Sequence, residues 1–340
     1  MVPPVNNPPW KRLMAKYQVP ILRKSIWQVI NSVIPYLALC GLMIWSLDVS
    51  YWLTLAFAGA AAGFMIRIFI IFHDCAHGSF FRSQRANDFW GFVTGVLTFT
   101  PYHQWRHKHV LHHATSGDLD RRGTGDIWTM TVREYLDASR LKRFRYRLFR
   151  NPFVLFAVVP SYLFLIHQRF PSRGVSRPAH LGVHWTNGAL LAIGVAMSMT
   201  VGIHAYLLIQ IPVVMITGTV GLWLFYVQHQ FEGTYWKRRE SWGFEDSALK
   251  GSSFYKLPRI LQWFSGNIGF HHIHHLSPRI PNYSLERCHK SDPAFQSVRP
   301  VTLLSSLRAA GYRLWDEQRG KLIGYRQLPS SKPAVDRSMR

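Results

Sequence analysis

Residues 52–77 read WLTLAFAGAAAGFMIRIFIIFHDCAH. The first part, Trp52–Phe72, contains one charged residue, Arg67, and a transmembrane helix needs about 20 predominantly apolar residues. His73 and His77 follow with a spacing of four, which places two side chains on one face of a helix. The stretch therefore predicts a membrane-spanning helix whose end presents two imidazoles that could bind one metal ion.

Cationic residues are absent from two long segments of the chain. No Lys or Arg occurs between Lys24 and Arg67, or between Arg177 and Lys237, and each gap is long enough for two crossings. We therefore predict an integral membrane protein with four spans, Trp27–Trp45, Trp52–Phe72, Val183–Met199 and Ala205–Val227.

The connections Leu47–Tyr51 and Thr200–His204 then lie on one side, and nearly every cation lies on the other. By the positive-inside rule the cationic side is cytoplasmic, so both termini face the cytoplasm of a multi-pass protein of the cell membrane. The apolar segments Asp88–Phe99 and Pro152–Ile166 are expected at the membrane surface, the second one interfacial or re-entrant.

The chain carries 48% hydrophobic residues together with a formal net charge of +23. Cations beside spans attract anionic lipid headgroups, and a basic surface also speeds docking of an acidic electron carrier. Nucleic-acid binding is not expected, because the charge follows the topology and no nucleic-acid module is recognisable. Three cysteines, Cys40, Cys75 and Cys288, predict no disulfide bond in a reducing compartment.

We expect one domain, 1–340, made of six consecutive segments. These are a cytoplasmic arm (1–25), two spans (27–72), a cytoplasmic and interfacial segment (73–182), two spans (183–227), a cytoplasmic cap (228–320) and a loose tail (321–340).

Two further histidine clusters repeat the spacing HxxHH. They contain His109, His112 and His113, and His271, His274 and His275. Adjacent positions on a helix are splayed by about 100°, which suits an HH pair to two metals. Imidazole binds Fe, Zn, Cu and Ni alike. The residues alone therefore predict an all-histidine, two-metal site on the cytoplasmic side, and they leave the metal open.

The order HDCAH (73–77), HVLHH (109–113) and HHIHH (271–275) resembles the three histidine boxes of the membrane fatty acid desaturase family. Residues 114–123, ATSGDLDRRG, and 276–283, LSPRIPNY, resemble the bacterial and cyanobacterial acyl-lipid branch, which includes delta-12 (omega-6) and delta-5 enzymes.

The resemblance implies an all-α fold with four spans, a cytoplasmic helical cap, and two non-haem irons held by nine histidines. His229, just after the fourth span, matches the place of the ninth. Some relatives have an Asn one turn before it that holds a metal-bound water, whereas this chain has Phe225 there, and Asn267 is a candidate replacement.

Other residues are expected to have supporting or ordinary roles. Asp118, Asp126 and Trp128 are expected to orient ligand imidazoles, because metal-bound histidines usually donate their other N–H to a carboxylate or carbonyl. His103 and His107 are expected to contact ligands or lie on the surface, and His272 to point away from the metals. The remaining histidines, His167, His180, His184, His204 and His289, are expected to have no role in the site.

The implied reaction is O2-dependent formation of a cis double bond in a membrane phospholipid acyl chain, of omega-6/delta-12 type. The chain contains no cytochrome b5 module and no GxGxxG flavin motif, so an external ferredoxin or flavodoxin is expected to supply electrons. Three alternatives remain open: delta-5 regiochemistry, a related hydroxylase acting on alkanes or carotenoids, and a metal transporter or sensor. The last would need polar ligands within the spans, which offer little beyond His204.

Overall fold

The computed structural model describes residues 9–329 and is mostly helical. The α-helices are α1 (Pro9–Ala15), α2 (Leu22–Ser46), α3 (Tyr51–Ala76), α4 (Gln84–Leu97), α5 (Tyr102–Thr115), α6 (Val132–Asp137), α7 (Arg140–Phe149), α8 (Val159–Leu165), α9 (Arg177–Thr200), α10 (Ile203–His229), α11 (Phe244–Lys250), α12 (Arg259–Phe264), α13 (His271–Leu276), α14 (Asn282–His289), α15 (Pro293–Gln296) and α16 (Leu303–Ala309).

Within residues 9–329, three long helices are apolar enough to cross a membrane. They are α2, α3 and α10, and each contains one of the predicted spans. Small residues of α3, including Ala58 and Ala61, are buried against α2 and α10, since small side chains let membrane helices approach closely. These three helices pack together as an apolar bundle, and several of the other elements pack against it.

Helix α9 contains the remaining predicted span, Val183–Met199. It is less apolar than the other three, and its composition alone does not mark it as a membrane-spanning helix. Its 24 residues reach about 36 Å at 1.5 Å per residue, which is enough for a bilayer core. The fourth crossing therefore remains a prediction.

A bend separates α7 from the apolar segment that follows it. The segment comprises a π-helical turn, Val154–Val158, then α8 and a 3₁₀ turn, His167–Arg169, and together they meet α7 at 65°. Pro160 lies at the start of α8, where a missing backbone N–H is tolerated. Such a bend fits a broken span or a re-entrant segment, and the second agrees with the expectation for Pro152–Ile166.

The described residues also form short strands, one directly before α6 and four after α10, so the expectation of an all-α fold is corrected in detail. The five strands are β1 (Met130–Thr131), β2 (Phe254–Lys256), β3 (Pro300–Thr302), β4 (Leu314–Asp316) and β5 (Lys321–Ile323). β1 pairs parallel with β4, β4 pairs antiparallel with β5, and β2 pairs parallel with β3. The β1–β4 and β2–β3 pairs join segments that are distant in the sequence, whereas β4 and β5 are neighbours along the chain.

The expectation of a loose tail from residue 321 is wrong for its first residues. Lys321 pairs with Asp316, and Ile323, which is fully buried, pairs with Leu314. The cause is burial of Ile323 and Leu314 in one apolar cluster. The polar stretch at 330–333 lies outside the described residues, as do residues 1–8 of the N-terminal arm.

The described part of the arm packs on the third histidine box. Met14 of α1 is fully buried with Ile273, Leu276 and Leu285, and the Gln18 amide donates to Ser277 Oγ at 2.9 Å. All six residues of α13 are buried. The box is therefore held by the N-terminal arm as well as by α14.

Candidate metal centre

Four helices carry the predicted ligand histidines. His73 and His77 lie at the end of α3, which stops because Gly78 takes a left-handed backbone conformation (φ 65°) that favours glycine. The second box lies along α5, and the third occupies α13. His229 is the last residue of α10.

The structure brings all nine histidines together as two groups. The first group contains His73, His77, His109, His113 and His274, and the second contains His112, His229, His271 and His275. Within each group, one ring nitrogen from every residue lies within 4.8 Å of the others. The adjacent pairs His112–His113 and His274–His275 are each divided between the two groups, as the splay of HH pairs requires.

The protonation of the second group can be read from its outer hydrogen bonds. His112 Nδ1 lies 2.7 Å from Asp126 Oδ1, and His229 Nδ1 lies 3.2 Å from the Gly251 carbonyl oxygen. Both partners are acceptors, so each Nδ1 carries the proton and each Nε2 has a lone pair. The two Nε2 atoms are only 3.1 Å apart. A metal ion that accepts both lone pairs would satisfy the two nitrogens at this distance.

The first group shows the same arrangement. His73 Nδ1 lies 3.2 Å from Asp74 Oδ1, which directs its Nε2 toward His109 Nε2 at 3.0 Å. Among the described residues, His77 Nε2 and His275 Nε2 are buried without a hydrogen-bond partner, a costly state for a polar atom. The donor set therefore fits metal ions at both groups.

Burial also keeps these imidazoles in the form that binds metal. Seven of the nine residues are buried, namely His73, His112, His113, His229, His271, His274 and His275. Burial, assisted by neighbouring imidazoles, holds the pKa of five rings outside the spans well below the usual histidine value: His109, His113, His271, His274 and His275. Neutral imidazole is the ligand form, so no proton must be displaced at neutral pH.

Of the residues expected to orient the imidazoles, Asp126 alone contacts a histidine of the two groups in the described structure. Asp118 is buried and accepts from the Arg121 guanidinium at 2.6 Å and from the Asp120 N–H at 2.9 Å. Trp128 packs on Tyr146 and Phe149.

Asn267 is separated from the first group by two residues, Asn282 and Asp74. Its amide donates to the Asn282 carbonyl oxygen, and Asn282 donates twice to Asp74 Oδ2, at 2.7 and 2.8 Å. The other oxygen of Asp74 faces His73. Sequence reasoning missed Asp74 as an orienting residue, although it directly follows His73 in the first box.

Aromatic rings close the site on its membrane side. Trp105 stacks on His109 with ring centroids 4.2 Å apart, and it also contacts Phe72 and Phe69 of α3. Phe225 lies 5.2 Å from His112 and 5.3 Å from His229, between centroids. Phe225 therefore makes an apolar wall one turn before His229, at the position for which the resemblance suggests a water-holding Asn.

The histidines expected outside the site lie outside both groups. His272 is buried, and its Nε2 lies 3.1 Å from His289 Nδ1 and 3.1 Å from the Phe295 carbonyl oxygen. Burial lowers the pKa of His272 to about 3. His103 packs near Gly182 of α9, and His107 is exposed.

The fold and the site define an apolar, largely helical protein whose buried histidine clusters can hold metal ions. Residues 50–300 match the family model described as fatty acid desaturase. A fatty acid desaturase of Bacillus subtilis (strain 168) is 49% identical over 323 residues, covering 94% of this chain and 92% of that protein. The chain therefore belongs to the fatty acid desaturase family, and it is an oxidoreductase.

Two cyanobacterial relatives from Synechocystis are more distant. An sn-1 acyl-lipid omega-3 desaturase (ferredoxin) is 26% identical over 69% of this chain and 64% of its own length. An sn-1 oleoyl-lipid 12-desaturase is 25% identical over 66% of this chain and 63% of its own length. This chain thus spans less than two thirds of each. The family resemblance noted from the histidine boxes is confirmed.

Proposed function

We propose that this protein is an O2-dependent, di-iron fatty acyl desaturase that introduces a cis double bond into a membrane-lipid acyl chain. One observation carries the proposal. Nine histidines from four separate helices converge as two buried groups, and their lone pairs face one another at about hydrogen-bonding distance. Family membership supplies the reaction class.

The two histidine groups would each hold one iron. Bound iron would supply the oxygen-dependent oxidation that removes one hydrogen from each of two neighbouring methylenes. The chain's own contribution is to fix the rings and exclude water. Asp126, Asp74 and the Gly251 carbonyl hold three rings by their outer nitrogens, and the Trp105 ring covers His109.

The proposed topology has four spans, with α9 as the third crossing and both termini, the cap and the metal centre in the cytoplasm. Support for α9 comes from its outer half, where large apolar side chains are exposed in the isolated chain: Leu191, Val195 and Met199. Such a surface is stable in lipid and costly in water. The arrangement of cations favours the cell membrane with the basic side inward.

We assign omega-6/delta-12 regiochemistry to the reaction. The names of the Synechocystis relatives, an oleoyl-lipid 12-desaturase and an acyl-lipid omega-3 desaturase, support a substrate carried on a lipid. Expression in a host that makes only saturated and delta-9 chains, followed by location of double bonds, tests the assignment. A new bond at delta-12 is expected. A bond at delta-5 would correct the regiochemistry, and a hydroxylated product would contradict desaturation.

A ferredoxin- or flavodoxin-type protein is the proposed electron donor. Relatives from Synechocystis and Nostoc are named as ferredoxin desaturases, and a net charge of +23 favours an acidic partner. Purified enzyme in nanodiscs should form product with reduced ferredoxin or flavodoxin, more slowly at high salt. Equal product formation with reductant alone would contradict the need for a protein donor.

A further inference from the structure

Helix α7 has apolar side chains on two opposite faces. Tyr146 is fully buried against the protein, together with the following Arg150. On the other face Leu141, Phe144 and Leu148 are exposed by 58%, 62% and 51%. A surface helix of a water-soluble domain presents a polar outer face. The outward apolar row of α7 therefore requires a non-aqueous environment.

Cations border this row on both sides. On a helix with about 100° per residue, Arg140 and Arg147 fall on one flank of the apolar row, and Lys142 and Arg145 fall on the other. All four are exposed, but the Arg147 guanidinium donates to the Tyr135 hydroxyl and lies over the Tyr325 ring, which leaves Arg140, Lys142 and Arg145 to face outward. Lys142 and Arg145 take part in none of the ion pairs formed by the described residues. An apolar row between two cationic rows is the pattern of a helix that lies in a membrane surface.

The position of α7 agrees with that environment. Arg150, directly after α7, donates to the Tyr226 hydroxyl at 3.0 Å, three residues before α10 ends. Beyond the bend the exposed apolar row continues through Phe153, Val158 and Tyr162. It leads to α8, where Pro160 packs against Gly218 within the span α10. The outer face of α7 is thus continuous with surface at membrane depth.

Helix α16 ends beside Tyr226, as α7 does, and it also has exposed apolar side chains. The Tyr226 hydroxyl donates to the carbonyl oxygen of Ala309, the last residue of α16, at 3.0 Å. Leu304 and Leu307 are exposed by 81% and 64%, and the neighbouring Arg308 is exposed. Two helices fixed at the end of one span therefore both present apolar side chains and cations.

We propose that the outer face of α7, formed by Leu141, Phe144 and Leu148 with the flanking cations Arg140, Lys142 and Arg145, lies in the inner leaflet and binds anionic phospholipid headgroups. The inference rests on the proposed function only in that α2, α3 and α10 must cross the bilayer. Charge complementarity and continuity with the spans favour a lipid surface over an acidic protein, which would leave three large apolar side chains without an apolar partner.

The test places a nitroxide label at Phe144→Cys of the full-length protein in nanodiscs, in a Cys40→Ala background, since Cys75 and Cys288 are fully buried. Collision rates are measured with O2, which concentrates in lipid, and with a water-soluble nickel chelate. We expect high O2 and low nickel rates at Phe144→Cys, with a ratio several-fold above that at the exposed Glu240→Cys. A ratio equal to that at Glu240→Cys would overturn the proposal.

Two further arms separate the possible causes. A label at Ile34→Cys, an exposed site on α2, must report lipid. If it reported water, membrane placement itself would fail, rather than the role of α7. The label at Phe144→Cys should also move deeper when phosphatidylglycerol is added to phosphatidylcholine, and Arg140→Gln/Lys142→Gln/Arg145→Gln should abolish this shift. Protection from nickel only after addition of reduced ferredoxin would identify a protein-docking face and overturn the lipid assignment.

Discussion

Each ring of the two histidine groups turns one nitrogen inward, so the partner of its other nitrogen decides how firmly the ring is held. Asp126 is the strongest such partner of the second group, at 2.7 Å from His112 Nδ1. His229 is held by a neutral carbonyl at 3.2 Å. A carboxylate both fixes the tautomer and raises the basicity of the inward nitrogen.

Replacement Asp126→Asn should therefore weaken metal binding without unfolding the protein. Loss of such a partner typically costs about 10–100-fold in metal affinity or activity. Iron retained after a timed chelator challenge, measured by elemental analysis, should fall in Asp126→Asn. The matched control is Asp246→Asn, an exposed carboxylate of α11 that pairs with Lys250. Equal iron retention in both variants would contradict the orienting role of Asp126.

His229→Ala tests the ligand that lies outside the three boxes. His229 Nε2 lies 3.1 Å from His112 Nε2 and 3.0 Å from His271 Nε2, so its loss opens the second group but leaves the first intact. We expect reduced iron content and no desaturation, measured by metal analysis and product assay. His204→Ala, at the opposite end of α10, should keep most activity. Full iron and activity in His229→Ala would show that eight histidines suffice.

The spacing within helices predicted that the box histidines lie close together. It gave no information about the loop that follows the second box. A helical period relates His109 to His112 and His113, whichever loop follows. Asp118, Asp126 and Trp128 lie in irregular structure, where no period tells which side chain turns back. The conformation of this loop, which the sequence pattern does not reveal, brings Asp126 to His112 and Asp118 to Arg121.

At the level of elements, Arg150 joins three parts of the fold. It is fully buried and donates to Tyr226 and Gln230 of the α10 end and to the Tyr312 carbonyl oxygen before β4. The Trp128 carbonyl oxygen and the Thr129 hydroxyl also accept from Arg150, at 3.4 Å each, and all of these acceptors are neutral. The cost of burying this cation is therefore offset by hydrogen bonds, in contrast to a buried ion pair.

Arg150→Met should destabilise the protein by about 3 kcal/mol, because removal of a buried, multiply bonded charge leaves its acceptors unpaired. Thermal unfolding in detergent, followed by size-exclusion chromatography, should show a lower midpoint. The comparison is Arg145→Met on exposed α7 surface, for which little change is expected. A midpoint unchanged in Arg150→Met would show that the buried guanidinium contributes no net stability.

The long helices were predictable because a run of apolar residues fixes both their type and their length. The strands were not, since each has only two or three residues and most of them pair with a distant segment, as Met130 does with Leu314. The tail after residue 320 looked polar overall, but two adjacent buried side chains, Leu322 and Ile323, anchor its start. Two residues are too little signal for a pattern-based prediction.

At the level of the whole molecule, the two histidine groups can form only if all of their histidines lie on the same side of the membrane. His77 follows α3 and His229 ends α10, so both helices must end on the side that holds α5 and α13. Reporter fusions after Ser50 and Val201 should then report the outside, and fusions after Asp120, Arg173 and Tyr283 the cytoplasm. Opposite locations for Asp120 and Tyr283 would exclude a single site.

Metal content tests the whole assembly, because no single helix supplies a complete group. The first group draws on α3, α5 and α13, and the second on α5, α10 and α13. Purified protein should carry close to two irons per chain by elemental analysis, one for each group. His109→Ala and His274→Ala should abolish activity, while membrane insertion persists, since α2, α3 and α10 keep their apolar surfaces. Active protein with one zinc and no iron would contradict the di-iron proposal, because zinc has no redox chemistry to offer the reaction.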